Sequence, residues 1–379
     1  MRVYKKAILP CGFKANGVAC GIKKNNKLDL ALFYTDIAGL ASCKFTTNRI
    51  QAAPVLINKR YLKMNKRYNA IIVNSGNANA FCGIAGLNDA IGMAQETAGA
   101  LCLKKESVLV ASTGIIGKRL GIDNIKNALP ELVRGLSREN IDKAKRAIMT
   151  TDKFTKEITV KFNSGGRIVT LCGVAKGAGM IAPDMATLLV FILTDANIAQ
   201  SSLDCAVNNA VTNSFNCITV DGCMSTNDTV IVLANGQAGN KLINSGKELK
   251  LFQDALNIVC LELAKLVVED GEGATKVIRI KVSGANTINE AKKIALSIAN
   301  SSLFKTAMSA SSTNILGRIV ASAGAAGVEL QESDFKIKFT DLKKQDVDID
   351  VSVGKGKSGT VIYTSDLTHE YVKINAEYN

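Results

Sequence analysis

From Gly173 to Ala196 the chain reads GVAKGAGMIAPDMATLLVFILTDA, and this stretch limits what the rest can build. Its first half holds small residues. Gly177 and Gly179 permit backbone conformations and close approaches that a Cβ forbids, and Pro183 fixes φ and removes a donor, so an irregular loop is expected. From Thr187 the character changes to a continuous apolar run, Leu188-Leu189-Val190-Phe191-Ile192-Leu193, closed by Thr194-Asp195. Such a β-forming run predicts a strand covered on both faces.

The loop thus delivers Thr187 to the first position of a central strand. A threonine hydroxyl is a weak nucleophile without a base. A chain cut just before it would supply an α-amine, whose ordinary pKa of about 7.7–8.0 suits that task. A β-branched residue that merely opens a strand is the other reading of the same pattern.

Two further blocks can carry chemistry. Val108-Leu109-Val110 reads as a buried strand running into Ala111-Ser112-Thr113-Gly114. A strand that ends in Thr-Gly can present a hydroxyl and a backbone N–H together, the donors an oxyanion requires; a plain strand-end turn uses the same residues. In Glu269-Asp270-Gly271-Glu272-Gly273 a carboxylate stands between two glycines, which reads as a solvated loop acid unless something holds it.

Composition closes off several functions. The net charge is +14, but the lysines fall in scattered doublets, aromatics are 5 % of the chain and tryptophan is absent, so no nucleic-acid surface is expected. No apolar run reaches the roughly 18–20 residues of a membrane helix, and the apolar part of the first residues is too short for a signal peptide; a cytoplasmic protein is expected. The ten cysteines form no C-x-x-C pair. Cys102, Cys172 and Cys260 lie in apolar sequence and predict buried reduced thiols rather than a metal site. The one histidine, His369, sits in a polar context and is expected at the surface. At 379 residues the chain predicts one large domain or two closely packed ones.

Periodicity predicts strands at Leu28–Phe33 and Ala70–Val73, an irregular loop at Asn74–Ala80, and helices at Leu87–Cys102, 123–135 and 139–149, with Pro130 interrupting the second. A hairpin follows over Glu157–Leu171, then a helix at Ser201–Asn216, strands at Cys217–Gly222 and Thr229–Leu233, and a long helix at Lys247–Val268. Beyond Val277, helices at Thr287–Ser301 and Leu316–Ala326 alternate with strands at Phe335–Phe339, Val347–Val353 and Val361–Thr364.

Lys176-Gly177-Ala178-Gly179-Met180-Ile181-Ala182-Pro183 followed by Met185-Ala186-Thr187-Leu188-Leu189 resembles the cleavage and nucleophile motif of the ornithine acetyltransferase family, the glutamate N-acetyltransferases of arginine biosynthesis. Leu189 stands where the family has a second Met. Phe45-Thr46-Thr47-Asn48 and Ala52-Ala53-Pro54-Val55, which resemble N-terminal strands of the family, and the blocks Asn74–Ala80, Thr150-Thr151-Asp152, Ser225-Thr226-Asn227-Asp228 and Asn375-Ala376-Glu377-Tyr378 follow in the family's order. The departures are Cys223 in place of an Asp, a missing Trp near Leu316, and an end at Asn379 before the family's terminal Thr or Ser.

The resemblance implies an α/β fold, a layered αββα sandwich of the self-processing N-terminal-nucleophile type with a smaller C-terminal α/β region. It implies cleavage between Ala186 and Thr187 into an alpha chain, 1–186, and a beta chain, 187–379, assembling as a heterotetramer of two each. Thr187 would be the nucleophile, with Thr113 and Gly114 as the oxyanion hole. Thr150, Lys176, Glu272 and Asn375 would bind substrate, Glu272 through an ammonium group and Lys176 through a carboxylate. The substrates implied are N-acetylornithine and glutamate, with no cofactor and no metal; acetyl-CoA as a further co-substrate stays open. An aminopeptidase or amidohydrolase of the same fold, and a metabolite-binding scaffold without turnover, are the alternatives.

Overall fold

The β-branched and aliphatic runs form two sheets in a computed structural model that describes residues 1–182, 188–312 and 314–377. Ala186, Thr187 and Asn379 lie outside the described residues. These divide into two units. The first comprises Met1–Gly177, the stretch from Leu188 to Phe215, and Met224–Leu263; the second comprises Ala178 to Ala182, Asn216–Cys223 and the chain from Ala264 onward. The first unit therefore draws on both sides of the expected cleavage point.

In chain order the strands are β1 (Arg2–Tyr4), β2 (Phe13–Val18), β3 (Leu30–Phe45), β4 (Tyr68–Asn77), β5 (Val108–Ile115), β6 (Lys156–Ser164), β7 (Arg167–Lys176), β8 (Leu189–Thr194), β9 (Ile218–Thr219), β10 (Thr229–Ala234), β11 (Val277–Ala285), β12 (Lys336–Phe339), β13 (Asp346–Ser352) and β14 (Ser358–Ser365). The sheet of the first unit runs β1-β6-β7-β8-β10-β3-β4-β5, with β2 also paired to β3.

The 16-residue β3 decides the shape of this unit. Its first part, Leu30 to Tyr34, pairs with β2 and β4, and its last part, Leu40 to Phe45, pairs with β10. The register with β4 breaks between Tyr34 and Gly39, so one strand serves two layers. The layers bury a common core in which Phe13, Phe33, Ile71 and Leu109 meet Val174, Leu189, Phe191 and Ile231. The rings of Phe33 and Phe191 lie with centroids 5.3 Å apart. On the other face of β3–β5, Leu32, Ile72 and Val110 pack under the helices Ala53–Met64, Gly83–Ala100 and Ile122–Arg134. Val259 and Leu263 of the helix Gly246–Glu269 press on β7 at Gly173, and the helix Gln200–Thr212 packs on β3. The first unit is thus the expected helix–sheet–sheet–helix sandwich, with β8 buried along its whole length between β7 and β10.

The second unit has the sheet β12-β13-β11-β14-β9. Ile278, Ile280 and Val282 alternate inward on β11 and pack with Ile294, Ile298 and Phe304 of the helices Ile288–Ala299 and Ser302–Ser309. Thr287 starts the first of these by accepting the Glu290 N–H.

Several expectations change. Ala53–Val55 opens a helix rather than a strand, because Pro54 in the first turn costs no intrahelical bond. Asn74–Asn77 is the end of β4, not an irregular loop. The expected Cys217–Gly222 strand shrinks to Ile218–Thr219. Pro130 lies inside an unbroken helix, Ile122–Arg134, whose buried Ile125, Leu129 and Leu132 outweigh one lost hydrogen bond. Cys172 and Cys260 are buried, but Cys102 is exposed in a left-handed turn just past a helix end. His369 is at the surface. Among the described residues no helix is long and apolar enough to cross a membrane.

Candidate active site

In the first unit the parallel strands β4 and β5 end side by side, with a register shift at Gly76/Asn77. There Thr113 is buried, and Gly114 takes φ +134° with its Cα so close to β4 that a Cβ would lie 2.3 Å from the Gly76 carbonyl carbon. Only glycine fits that position. The asparagine-rich block supports it. Ser112 Oγ donates to Asn74 Oδ1 at 2.6 Å, Asn74 Nδ2 donates to the Asn77 carbonyl at 2.9 Å, and Asn227 Nδ2 donates to the carbonyls of Ala78 at 2.6 Å and Ser112 at 2.9 Å. Lys176, at the end of β7, donates from Nζ to Thr113 Oγ1 at 3.3 Å. A hydroxyl that accepts from a lysine keeps its own proton to donate.

Beside this pair sits a carboxylate that the sequence reading passed over. Asp152 and Lys156 are sealed from solvent, with Lys156 Nζ 2.7 Å from Asp152 Oδ1. Asp152 also accepts the Thr150 N–H at 2.9 Å and the Gly177 N–H at 2.8 Å. Burial alone would raise its pKa, but the charges of Lys176 and Lys156 and these hydrogen bonds win and hold it well below the usual carboxylate range. Asp152 therefore fixes Thr150 and the backbone after Lys176 together. In the sequence Asp152 stood only as the last residue of the Thr150-Thr151-Asp152 block, and neither that block nor the four-residue spacing to Lys156 carried a hint of burial.

The start of β8 is held in the same unit. Leu188 N–H donates to Asp228 Oδ1 at 2.7 Å, and the Thr229 N–H donates to the Leu188 carbonyl at 3.1 Å. Leu189 pairs with Lys176 on one side and Thr229 on the other, so these three share a row across β7, β8 and β10. Asp228 is fully buried; burial pushes its carboxyl well above the ordinary value, against the pull of the Leu188 N–H and the Lys176 charge. Among the described residues no hydrogen bond reaches its Oδ2. Thr187 is the residue before Leu188.

The second unit contains the other expected contacts. Glu272 is buried rather than solvated, 8 % exposed. Asn375, exposed on the helix His369–Ala376, donates from Nδ2 to Glu272 Oε2 at 2.8 Å, and Thr368 Oγ1 donates to the Gly273 carbonyl at 2.7 Å. Glu272 N–H donates to the Ala178 carbonyl at 2.8 Å, and a Cβ on Gly179 would lie 2.3 Å from Glu272 Oε2, so the carboxylate lies directly against that glycine. Asp221 accepts the Met180 N–H at 2.6 Å and the Ile181 N–H at 3.0 Å. Cys223, where the resembling family has Asp, is exposed and donates its N–H to Asp221 Oδ1 at 3.0 Å. Leu316, at the place of the missing Trp, is exposed on the helix Ile315–Gly324.

The structure thus brings Thr113, Gly114, Thr150 and Lys176 together in one unit, and Glu272 and Asn375 in the other. Among the described residues no group of three or more His, Cys, Asp or Glu side chains is arranged to hold a metal.

A family model described as the ArgJ family matches residues 14–379. The arginine biosynthesis bifunctional protein ArgJ of Caldanaerobacter subterraneus subsp. tengcongensis is 43% identical, over 98% of this chain and 98% of that protein. The protein of the same description from Dehalococcoides mccartyi is 44% identical over 97% of this chain and 96% of its own length. Among solved structures, ornithine acetyltransferase of Mycobacterium tuberculosis complexed with ornithine is similar at 38% identity and TM-score 0.45, covering 48% of this chain and 97% of that one.

Proposed function

The chain belongs to the ArgJ family of arginine-biosynthesis acyltransferases, and on that premise we propose that it moves the acetyl group of N-acetylornithine to glutamate through an acetyl ester on Thr187. The chain first hydrolyses its own Ala186–Thr187 peptide bond. One water is consumed, Ala186 gains a carboxylate and Thr187 gains a free α-amine. The pieces 1–186 and 187–379 stay together, two of each in the assembly, and work in the cytoplasm.

In the first half-reaction Thr187 Oγ bonds to the acetyl carbon while the α-amine takes the hydroxyl proton. The tetrahedral oxyanion is met by the Thr113 hydroxyl and the Gly114 N–H. The bond to ornithine then breaks and the proton passes to the departing amine. In the second, the glutamate amine attacks the ester, and its proton returns to Thr187 Oγ as N-acetylglutamate leaves. No histidine is needed because the amine is the base. Thr150, Lys176, Glu272 and Asn375 bind the amino acids, Lys176 as counter-charge for a carboxylate and Glu272 for an ammonium group. Acetyl-CoA serves as a second acetyl donor to the same threonine, as the word bifunctional in the relatives' names suggests.

The observation that carries this reading is the Lys176–Thr113 hydrogen bond beside a residue that tolerates no side chain. Such a pair supplies oriented donors, each worth about 2.7–4 kcal/mol in comparable oxyanion holes. The test is mass spectrometry with steady-state kinetics. N-acetylornithine or acetyl-CoA should leave an acetyl adduct on the piece that begins at Thr187, glutamate should discharge it, and double-reciprocal lines should be parallel. Intersecting lines without an adduct overturn the ester, and acetate release independent of glutamate makes the protein a hydrolase.

A further inference from the structure

Glutamate carries two carboxylates, and among the residues assigned to the amino acids only Lys176 is a cation. A second cation lies in the same unit, in the turn between β2 and β3. The buried Asp29 gathers that turn. Its Oδ1 accepts the Cys20 N–H at 2.6 Å, and its Oδ2 accepts the N–H groups of Ile22 at 2.7 Å and Lys23 at 2.8 Å. The Ser75 N–H donates to the Asp29 carbonyl at 2.8 Å, which fastens the turn to the end of β4.

Lys23 is half-buried and reaches from this turn toward the oxyanion glycine. Its stem lies on Gly76, where a Cβ would come 3.0 Å from Lys23 Cγ. Gly76 is the residue whose carbonyl carbon leaves Gly114 no room for a side chain. Lys23 Nζ donates to the Met149 carbonyl at 2.6 Å and the Leu28 carbonyl at 2.9 Å, and Met149 directly precedes Thr150. Among the described residues none accepts from the third ammonium N–H. The two carbonyls orient the ammonium but supply no counter-charge. Lys23 stands within electrostatic reach of Asp29, Lys176, Asp152 and Lys27, and Asp152 is already paired with Lys156. Cations outnumber carboxylates at this end of the unit, an excess that a bound anion relieves.

We propose that Lys23 is a specificity-determining residue for the acetyl acceptor: Lys176 meets one carboxylate of the amino acid and Lys23 meets the other, so that the site selects an acceptor with two. The inference rests on the acetyl-transfer reading and adds the group that tells glutamate from its uncharged isostere. Glutamine has the same length and the same reacting amine, so the ratio of the two acceptors isolates the second carboxylate.

The experiment loads wild type and variants with the acetyl group and follows discharge by glutamate and by glutamine with intact mass. Wild type should prefer glutamate. Lys23→Met keeps the stem on Gly76 and should cut that preference by about tenfold or more, whereas Lys23→Arg, which keeps the charge, should hold most of it. Should Lys23→Met not fold, Lys23→Gln retains a donor for the carbonyls, lacks the charge and reads the same ratio. Burial lowers Lys23 to about 8, with Asp29 and Asp152 opposing and Lys176 and Lys27 adding to the shift. Its charge therefore fades above that pH, and the preference in kcat/KM should fall between about pH 7 and 9 in wild type but not in Lys23→Met. Equal losses for glutamate and glutamine would show a merely structural role and overturn the proposal. So would an unchanged preference in Lys23→Met, or one that falls with pH alike in both proteins. Calorimetric affinities for the two amino acids need no ester and test Lys23 by the same ratio. A wild type that never takes up the acetyl group overturns the ester reading instead, and the affinity ratio still decides the role of Lys23.

Discussion

Asp152 and Lys156 form an ion pair 2.7 Å long in which neither side chain touches solvent, and the same carboxylate anchors the backbone at Thr150 and Gly177. Removing Asp152 takes from the buried Lys156 ammonium the carboxylate 2.7 Å away. Asp152→Asn should therefore destabilise the fold by about 3–5 kcal/mol, and Asp152→Asn with Lys156→Met should recover part of that loss. Chemical denaturation of both variants measures it. A double variant no more stable than the single one would show that Asp152 matters through its backbone contacts alone.

The same pair sets an acid limit. Because the folded pKa of Asp152 lies below its unfolded value of about 3.9, its contribution is present above that pH and is lost as pH falls below it. The thermal midpoint of wild type should drop more steeply below about pH 4 than that of Asp152→Asn.

On the alkaline side, burial lowers Lys305 in the second unit from 10.5 to about 8. The unfolded chain then binds this proton more tightly, so stability rises as pH passes from about 8 toward 9. Above that window the half-buried Cys43 and the buried Cys260 thiols, whose pKa values desolvation raises, work in the opposite direction. Lys23, also lowered by burial to about 8, contributes in the same window, so Lys305→Met should reduce the rise rather than remove it, read as the difference between the two proteins' thermal midpoints at pH 7.5 and 9.

Thr113→Val keeps shape and removes the hydroxyl. It should lower kcat by about 10²–10³ with a small change in KM, as loss of one oxyanion donor does, while Thr113→Ser should keep most of the activity. Gly114→Ala should be worse than either, since its Cβ has no room beside Gly76. Steady-state acetyl transfer checks all three.

Asn375→Ala, on an exposed helix face, removes a hydrogen bond from one oxygen of the buried Glu272. Stability should fall by about 1–2 kcal/mol, the worth of a hydrogen bond to a charged, buried carboxylate, and KM for the amino acid should rise severalfold with kcat less affected. An unchanged KM would remove Asn375 from substrate binding.

The sequence by itself determined the local pieces. The unbroken run Leu188–Leu193 could only be a strand covered on both sides, and it is β8 in the middle of the first sheet. The 3.6-residue repeats placed seven helices to within a few residues but missed Ala53–Met64, Ser302–Ser309 and His369–Ala376, and the order of short blocks identified the family. Backbone-demanding sites were legible too: Thr113-Gly114 sits at a strand end because only glycine permits the approach to β4. These features depend on neighbours in the chain, which is what a linear pattern records.

Tertiary structure decided what depends on distant partners. Nothing in Leu30–Phe45 announces that one strand will serve two layers, because the bend is set by β10 on one half and β4 on the other. Glu272 reads as a solvated loop acid until Asn375, 103 residues away, and Gly179 close over it. Asp152 and Asp228 look like ordinary loop carboxylates, yet one is held charged by buried lysines and the other is driven toward neutrality with a single N–H on Oδ1. Burial and charge environment are sums over everything that packs around a group. No single stretch of sequence contains them, so the blocks were legible and their chemistry was not.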